Sequence, residues 1–250
     1  MSVTIKSARE IELMREAGRI LAKTHEELAK ALKPGMTTWD IDHLGEEIIR
    51  SYGCIPSFKN YNGYPASICV SVNDEVVHGI PSKKHFIEEG DIVSLDAGVI
   101  YKGYHSDAAR TYGIGEISPE AGRLIEVTKQ SFFEGIKFAK AGNHLNDISS
   151  AIQTYAESFG YGVVRDLVGH GIGSHLHEDP EVPNFAGRRR GLKLRPGMTL
   201  AIEPMINEGT PEVVWLDDDW TVVTDDGSLS AHYENTILVT KDGCEILTLR

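Results

Sequence analysis

The segment Ile92–Ile100 reads Ile-Val-Ser-Leu-Asp-Ala-Gly-Val-Ile, and Tyr-Lys-Gly separates it from the segment Tyr104–Tyr112. The branched residues and the turn residues after them predict two antiparallel strands joined as a hairpin. Asp96 lies in the first strand and Asp107 in the second. A turn centred between positions 101 and 102 would place the two acids opposite each other, and a turn shifted by one residue would place them on a diagonal. Like charges so close together predict a bound cation.

Two halves of the chain repeat the same landmarks at a constant offset of 107 residues. Each half begins with helical periodicity, at Ser7–Lys33 and again from Ser118, continues with a second helix and then becomes strand-like. The repeated positions pair Gly35 with Gly142, Asp40 with Asp147, Gly53 with Gly160, Gly90 with Gly197 and Asp96 with Glu203. We therefore expect two similar α+β halves packed around a pseudo-twofold axis, which would bring Asp96 and Glu203 together.

The second half carries two acids and a histidine that would join this cluster. Glu203 lies within the strand-like segment Met198–Ile206, Glu234 enters the branched segment Ala231–Val239, and His170 has glycine on both sides. A carboxylate inside an apolar strand is costly unless something pairs with it. Four carboxylates and one imidazole form an oxygen-rich set, which suits Mn, Fe, Co or Zn in a two-metal hydrolytic site.

Composition and charge exclude several other classes of protein. The chain has 250 residues and a net charge of −12, which argues against a specific nucleic-acid partner. No apolar run approaches the roughly 18 residues of a membrane span, and the N-terminus lacks an apolar signal core, so a cytoplasmic protein without membrane contact is expected. Three scattered cysteines argue against a disulfide framework or a thiolate zinc site. The basic cluster at Arg188–Arg195 is interpreted as a solvated loop.

Nine short motifs are spread over nearly the whole chain: Tyr61–Pro65, Ser71–Asp74, His78–Pro81, Asp96–Gly98, His105–Asp107, Gly169–Gly173, His177–Pro180, Ile202–Pro204 and His232–Glu234. Together they resemble the motifs of the bacterial-type methionine aminopeptidases of type I. The resemblance implies the pita-bread fold, an α+β fold with two pseudo-symmetric halves around a dinuclear metal site. Residues 1–250 would then form a single catalytic domain, with halves at roughly 7–112 and 114–240.

The resemblance also implies a role for individual residues. The ligands of two divalent ions (Co, Mn, Fe or Zn) would be Asp96, Asp107, His170, Glu203 and Glu234. Asp107 and Glu234 would bridge the ions, Asp96 would complete one site, and His170 with Glu203 would complete the other. The catalytic residues would be His78, His177 and Glu203. Substrate would contact both histidines and a pocket formed by Phe58, Tyr61, Tyr64, Cys69, Leu176 and Trp220. A monovalent cation would bind near the backbone of Asn73, Glu75 and Ser230.

The implied activity is removal of the N-terminal methionine from nascent proteins and peptides with a small second residue. A hydroxide bridging the metal ions would attack the first peptide bond, with Glu203 as general base and His177 beside the developing oxyanion. A cytoplasmic monomer that meets nascent chains through transient ribosome contact is expected. Two alternatives stay open. An Xaa-Pro aminopeptidase of the same fold would usually carry an N-terminal domain for which this chain has no room, and a non-catalytic pita-bread binding module would typically lack some of the ligands.

Overall fold

The computed structural model describes residues 3–249, which fold into helices and antiparallel sheets. The helices are α1 (Ala8–Ala31), α2 (Thr38–Ser51), α3 (Pro119–Ile136) and α4 (Leu145–Glu157). The strands of the first half are β1 (Ile55–Pro56), β2 (Ile68–Val72), β3 (Glu75–Val77), β4 (Ile92–Tyr101) and β5 (Tyr104–Gly113). Those of the second half are β6 (Gly162–Val163), β7 (Gly169–Gly171), β8 (Glu178–Val182), β9 (Thr199–Ile202), β10 (Met205–Asn207), β11 (Val213–Trp215), β12 (Val222–Thr224), β13 (Ser230–His232), β14 (Asn235–Val239) and β15 (Cys244–Ile246).

Each half places a pair of helices against a sheet. Strand β4 pairs with β5, β1 and β2, and this sheet shares a buried core with α1 and α2. In the second half the sheet has the order β15-β14-β9-β7-β8 and shares a core with α3 and α4. Two smaller sheets have the orders β13-β10-β6 and β11-β12-β3. The predicted α+β class is therefore confirmed. Among residues 3–249, no helix has the length and apolar character needed to cross a bilayer.

The repeated landmarks adopt the same local conformation in both halves. The backbone N–H of Thr37 donates to Asp40 at the start of α2, and that of His144 donates to Asp147 at the start of α4, both at 2.8 Å. The φ angles are also alike at the repeated glycines: 87° and 95° at Gly35 and Gly142, 70° and 85° at Gly53 and Gly160, and 94° and 87° at Gly90 and Gly197. Because positive φ favours glycine, these turns explain why the same residue recurs at the same offset.

The hairpin of β4 and β5 adopts the diagonal register. Its turn consists of Lys102 and Gly103, which have φ of 48° and 85°, and both angles are positive as a type I′ turn requires. Asp107 consequently pairs with Gly98, while the partner of Asp96 is Ala109. The two acids still share one face of the sheet, because Gly98, the partner of Asp107, lies two residues after Asp96 and so points to the same side.

In the second half, the sequence predicts continuous strands through Glu203 and Glu234. The structure instead interrupts the strand at each of these two acids. Glu203 lies between β9 and β10, and Glu234 lies between β13 and β14. Pro204 has no N–H with which to continue a ladder, so the strand ends before it. The register is nevertheless the same on both sides of the gap and places Glu203 opposite Glu234. The interruption thus leaves both carboxylates at the junction of two sheets.

Phe132 of α3 supports this junction from behind. Its side chain is fully buried, and its ring centroid lies 5.4 Å from that of Tyr233, the residue before Glu234. We expect Phe132→Ala to lower the free energy of unfolding by about 3–5 kcal/mol, because it removes a large side chain and leaves a cavity. Urea denaturation followed by circular dichroism measures this change.

The matched control for this prediction is Phe138→Ala, which removes the same side chain where it is 43% exposed. A surface site of this kind should change stability by about 0.5 kcal/mol or less. Equal losses in the two variants would contradict the assignment of Phe132 to the core beneath the junction.

Candidate metal centre and substrate pocket

The predicted acids and His170 converge where the two halves of the fold meet. One ligand atom from each of Asp107, His170 and Glu234 lies within 4.8 Å of the others, and all three residues are buried. Two oxygen or nitrogen ligands on opposite sides of one transition-metal ion are separated by about 4 Å. These three side chains are therefore spaced as ligands around a single ion.

Several oxygen atoms of this cluster have no hydrogen-bond partner among residues 3–249. They are Asp96 Oδ1, Asp107 Oδ1 and Glu234 Oε1. Burial raises the pKa of Asp96 to about 7. Burial and the neighbouring carboxylates raise the pKa of Asp107 and Glu234 well above the usual range. Buried acceptors that lack donors and repel one another are satisfied by bound cations, so the donor set fits divalent metal ions.

His170 is oriented for coordination through one nitrogen. Its Nδ1 lies 2.9 Å from the carbonyl oxygen of Gly171, so Nδ1–H donates and Nε2 keeps its lone pair. Nε2 lies 3.8 Å from Asp107 Oδ2 and 3.6 Å from Glu203 Oε1. Burial lowers the pKa of His170 to about 3, which keeps the ring neutral at physiological pH. A neutral imidazole fixed in this tautomer is the form that binds metals.

A cavity of about 270 Å³ opens onto the carboxylates. Every residue predicted from the sequence as catalytic, metal-ligating or substrate-binding lines it: Phe58, Tyr61, Tyr64, Cys69, His78, Asp96, Asp107, His170, Leu176, His177, Glu203, Trp220 and Glu234. Rings form much of the apolar wall, and the centroids of Tyr64 and Trp220 are 5.1 Å apart in an edge-on arrangement. The structure thus brings one acidic surface and one apolar surface into the same cavity.

Two histidines of the cavity are held by aromatic neighbours. His177 Nδ1 lies 2.8 Å from the hydroxyl of Tyr61, and its ring centroid is 4.3 Å from that of His170. His78 lies edge-on to Trp220 with ring centroids 6.3 Å apart. Burial lowers the pKa of His177 and lowers that of His78 to about 4, so both rings are neutral near pH 7. His78 also has a φ of 60°, a conformation that is strained for a residue with a side chain.

The sequence did not identify every residue of the cavity. Its lining also includes Asn62, Val77, Leu167, Val168 and Met205. Asn62, Val77, Val168 and Met205 lie within or beside the motifs of the sequence analysis, so chain proximity could have indicated them. Leu167 lies outside the Gly169–Gly173 motif and carries no polar group that would have marked it.

His232 lies against the metal cluster, although it was quoted only as part of a motif. Its ring is 2% exposed, and its Nε2 lies 3.8 Å from Glu203 Oε2. Within the part of the chain that the structure describes, neither ring nitrogen has a hydrogen-bond partner. Burial lowers the pKa of His232 to about 3, so the ring is neutral beside the carboxylate.

The residues predicted to surround a monovalent cation lie next to one another. The backbone N–H of Ser230 donates to the carbonyl of Asn73 at 2.9 Å, and Glu75 Oε2 accepts from the backbone N–H of Val72 at 2.8 Å. A cation at this place stays a prediction.

We expect Asp96→Asn to stabilise the metal-free protein at about pH 8 and to leave its stability unchanged below about pH 4. The pKa of Asp96 rises from 3.8 to about 7 on folding, so the unfolded chain loses this proton first as the pH increases. The wild type is therefore destabilised progressively as the pH rises from about 3.8 to about 7, and by a constant amount above that. The neutral side-chain amide of the Asp96→Asn variant has no such dependence. Urea unfolding of EDTA-treated protein across this pH range measures the difference. An effect of the substitution that does not change with pH would contradict the buried charge.

Comparison with known proteins assigns this arrangement to a family. Residues 12–241 match the metallopeptidase family M24. The chain is 60% identical over 247 residues to a methionine aminopeptidase of Clostridium acetobutylicum, with 99% of each chain covered. The crystal structure of methionine aminopeptidase from Thermotoga maritima superposes with a TM-score of 0.97 at 48% identity, and both chains are fully covered.

A more distant structural relative is the Xaa-Pro dipeptidase from Bacillus anthracis, with a TM-score of 0.80 and 29% identity. That match covers 98% of this chain and only 61% of the dipeptidase. The pita-bread fold expected from the sequence is thus confirmed, together with the resemblance to methionine aminopeptidases. The chain belongs to the metallopeptidase family M24.

Proposed function

We propose that this chain is a metal-dependent aminopeptidase that removes the N-terminal methionine from proteins and peptides whose second residue is small. The observation that carries the proposal is the single cavity in which unpaired buried carboxylates face an apolar, ring-lined wall. The carboxylates suit metal-assisted hydrolysis, and the wall suits an unbranched thioether side chain. The identity to methionine aminopeptidases over the whole chain supports the same activity.

Two divalent ions, of Co, Mn, Fe or Zn, would be held by Asp96, Asp107, His170, Glu203 and Glu234. Asp107 and Glu234 are the candidates for bridging, because they are the most deeply buried acids of the set and each has an oxygen within 4.8 Å of His170. Asp96 would complete one site, and His170 with Glu203 the other. When bound, the ions would lower the pKa of a water molecule and polarise the carbonyl of the substrate.

Glu203 is the candidate for general base. In the metal-free protein, burial and the proximity of Asp96 raise the pKa of Glu203 above its ordinary value. With metal bound, its carboxylate at the cavity surface could take a proton from the attacking water and return it to the leaving amine. The side-chain amide of Asn184 donates to the backbone carbonyl of Glu203 at 3.0 Å, which fixes the chain at this point.

His177 is the candidate for stabilising the oxyanion. When the hydroxyl of Tyr61 donates to Nδ1, Nε2 carries the proton and can donate to the developing negative charge. The low pKa of the ring keeps it in this neutral donor form. His78, held beside Trp220, would contact the substrate near the scissile amide.

The apolar wall would select methionine. Phe58, Tyr64, Cys69 and Leu176 are almost completely buried around it, and the hydroxyl of Tyr64 donates to the carbonyl of Gly79 at 2.8 Å. A rigid wall of this kind accepts a flexible thioether, and sulfur also packs well against aromatic rings. We further propose that the second residue of the substrate lies at the rim of this cavity, where a bulky side chain would be excluded by size.

The natural substrate would be the N-terminus of a nascent polypeptide. Such a substrate places the enzyme in the cytoplasm, with transient contact to the ribosome as the chain emerges. We further infer that the protein acts as a monomer and as one catalytic domain, because the ligands come from both halves of a single chain. A monovalent cation would bind near Asn73, Glu75 and Ser230, where the backbones of the two halves are hydrogen-bonded to each other.

The experiment that tests this function compares two peptides on protein first stripped of metal and then loaded stepwise with Mn(II) or Co(II). Met-Ala-Ser should lose free methionine at a rate that rises with metal occupancy, and Ala-Pro-Ala should stay intact. Cleavage before proline would instead identify an Xaa-Pro peptidase. Failure to cleave either peptide with metal bound would favour a non-catalytic binding module.

We expect His177→Ala to lower kcat for Met-Ala-Ser by about 100-fold, because it removes a hydrogen-bond donor to the oxyanion. Its metal content, measured by plasma mass spectrometry, should be unchanged because His177 is not among the metal ligands. His175→Ala is the matched control, since His175 lies on the same loop with its side chain 72% exposed. Full turnover in the His177 variant would remove this residue from the mechanism.

A further inference from the structure

The connection between β7 and β8, residues 172–177, carries two residues of the cavity wall, Leu176 and His177. Its geometry therefore sets where both side chains meet a substrate. The backbone N–H of Ile172 donates to the carbonyl of Thr199 at 3.2 Å, which fixes the first residue to the neighbouring strand. At the other end Glu178, the first residue of β8, pairs with Gly171 of β7.

The carboxylate of Glu178 anchors the far end of this connection, directly after His177. Its Oε1 accepts from the backbone N–H of His175 at 3.2 Å. Its Oε2 accepts from the ammonium of Lys6 and from the hydroxyl of Thr4, each at 2.7 Å. The side chains of Lys6 and Glu178 are only 4% and 8% exposed, so the ion pair is buried. Burial alone would raise the pKa of Glu178, but the bonds from Lys6, Thr4 and His175 lower it, so the carboxylate stays charged.

Lys6 itself is held rigidly. Its backbone N–H donates to the carbonyl of Gly197 at 2.8 Å, and the next residue, Ser7, begins the capping box of α1. The space around the ion pair is full, because a Cβ at Gly173 would lie 2.3 Å from Lys6 Cε and 2.6 Å from Glu178 Oε1. The N-terminal segment, helix α1 and the cavity loop are thus joined through one buried charge pair.

We propose that Lys6 is a positioning residue for catalysis, which acts through Glu178 to hold His177 and Leu176 in place against the substrate. The inference rests on the proposed function, since these two side chains affect turnover only if a peptide binds in this cavity. Loss of the ammonium leaves a buried carboxylate without its cation, and the loop must then move to let water reach it. Displacement of a catalytic group by about 1 Å can reduce turnover by about 100-fold.

The first measurement is amide hydrogen exchange in metal-free protein, which does not depend on activity. We compare Lys6→Met, which keeps the aliphatic stem, with Lys6→Arg, which keeps the cation. The amides of residues 173–177 should exchange at least about tenfold faster in Lys6→Met than in the wild type, and more slowly in Lys6→Arg than in Lys6→Met because the cation is kept. Unchanged exchange in Lys6→Met would overturn the proposal.

The matched control is Arg15→Met, which breaks an ion pair of helix α1, between Arg15 and Glu245 of β15 at 2.7 Å. Neither of those residues lines the cavity. Exchange in residues 173–177 should not change in this variant. An equal increase in both variants would mean that Lys6 acts only through general stability, and would also overturn the proposal.

The second measurement is the kinetics of Met-Ala-Ser cleavage by metal-loaded protein. We expect Lys6→Met to lower kcat by about tenfold or more without changing bound metal, because His177 acts in the transition state, and to raise KM as well, because Leu176 forms part of the substrate pocket. Lys6→Arg should retain more of kcat than Lys6→Met, and Arg15→Met should retain all of it. A rise in KM alone would overturn the proposal.

Two further features keep these tests decisive. If Lys6→Met does not fold, Thr4→Val serves in its place, because it removes one hydrogen bond to Glu178 and leaves the ion pair. We then expect a smaller increase in exchange and a smaller loss of kcat. Exchange and kcat at the wild-type level would overturn the proposal. If the wild type itself fails to cleave the peptide, the proposed function fails, and the exchange measurement still decides whether Lys6 holds the loop.

Discussion

The fold brings four carboxylates into one buried place, and their mutual repulsion is the constraint that the rest of the structure must satisfy. Asp96 and Asp107 come from one hairpin, and Glu203 and Glu234 from interruptions in a second pair of strands. In the absence of a cation this arrangement is costly, because burial and proximity disfavour the ionised forms and several oxygens lack donors. The fold therefore holds a site whose chemistry requires divalent metal ions, and the energy of metal binding offsets the repulsion.

The two halves present their acids to the same site in different ways. In the first half β4 and β5 run without interruption past their acids, and the side chains project from one sheet face. In the second half Pro204 interrupts the ladder, and the acids occupy the gap. His170 of β7 lies 3.6 Å from Glu203 at this gap, and both residues line the cavity that the apolar wall also lines.

Much of this arrangement could be predicted from local sequence rules. The Ser7 capping box, the glycines at positive φ and the acid in the apolar strand at Asp96 all follow from short-range chemistry. The register of the hairpin could be narrowed to two alternatives, and the choice depended on positive φ at Lys102, which sequence rules do not favour at lysine. One part of the cavity wall could not be predicted, because Leu167 has neither a polar group nor a neighbouring motif and reaches the cavity only through tertiary packing. The ion pair of Lys6 with Glu178 joins residues 172 positions apart, so no local pattern could indicate it.

The central claim is that the buried acids form a site for two divalent ions that stabilises the fold. Calorimetric titration of metal-depleted protein with Mn(II) at about pH 7.5, combined with thermal unfolding at each step, tests it most directly. The account predicts saturation at two ions per chain, with Tm rising as each site fills. Absence of saturable binding, or binding that leaves Tm unchanged, would contradict it.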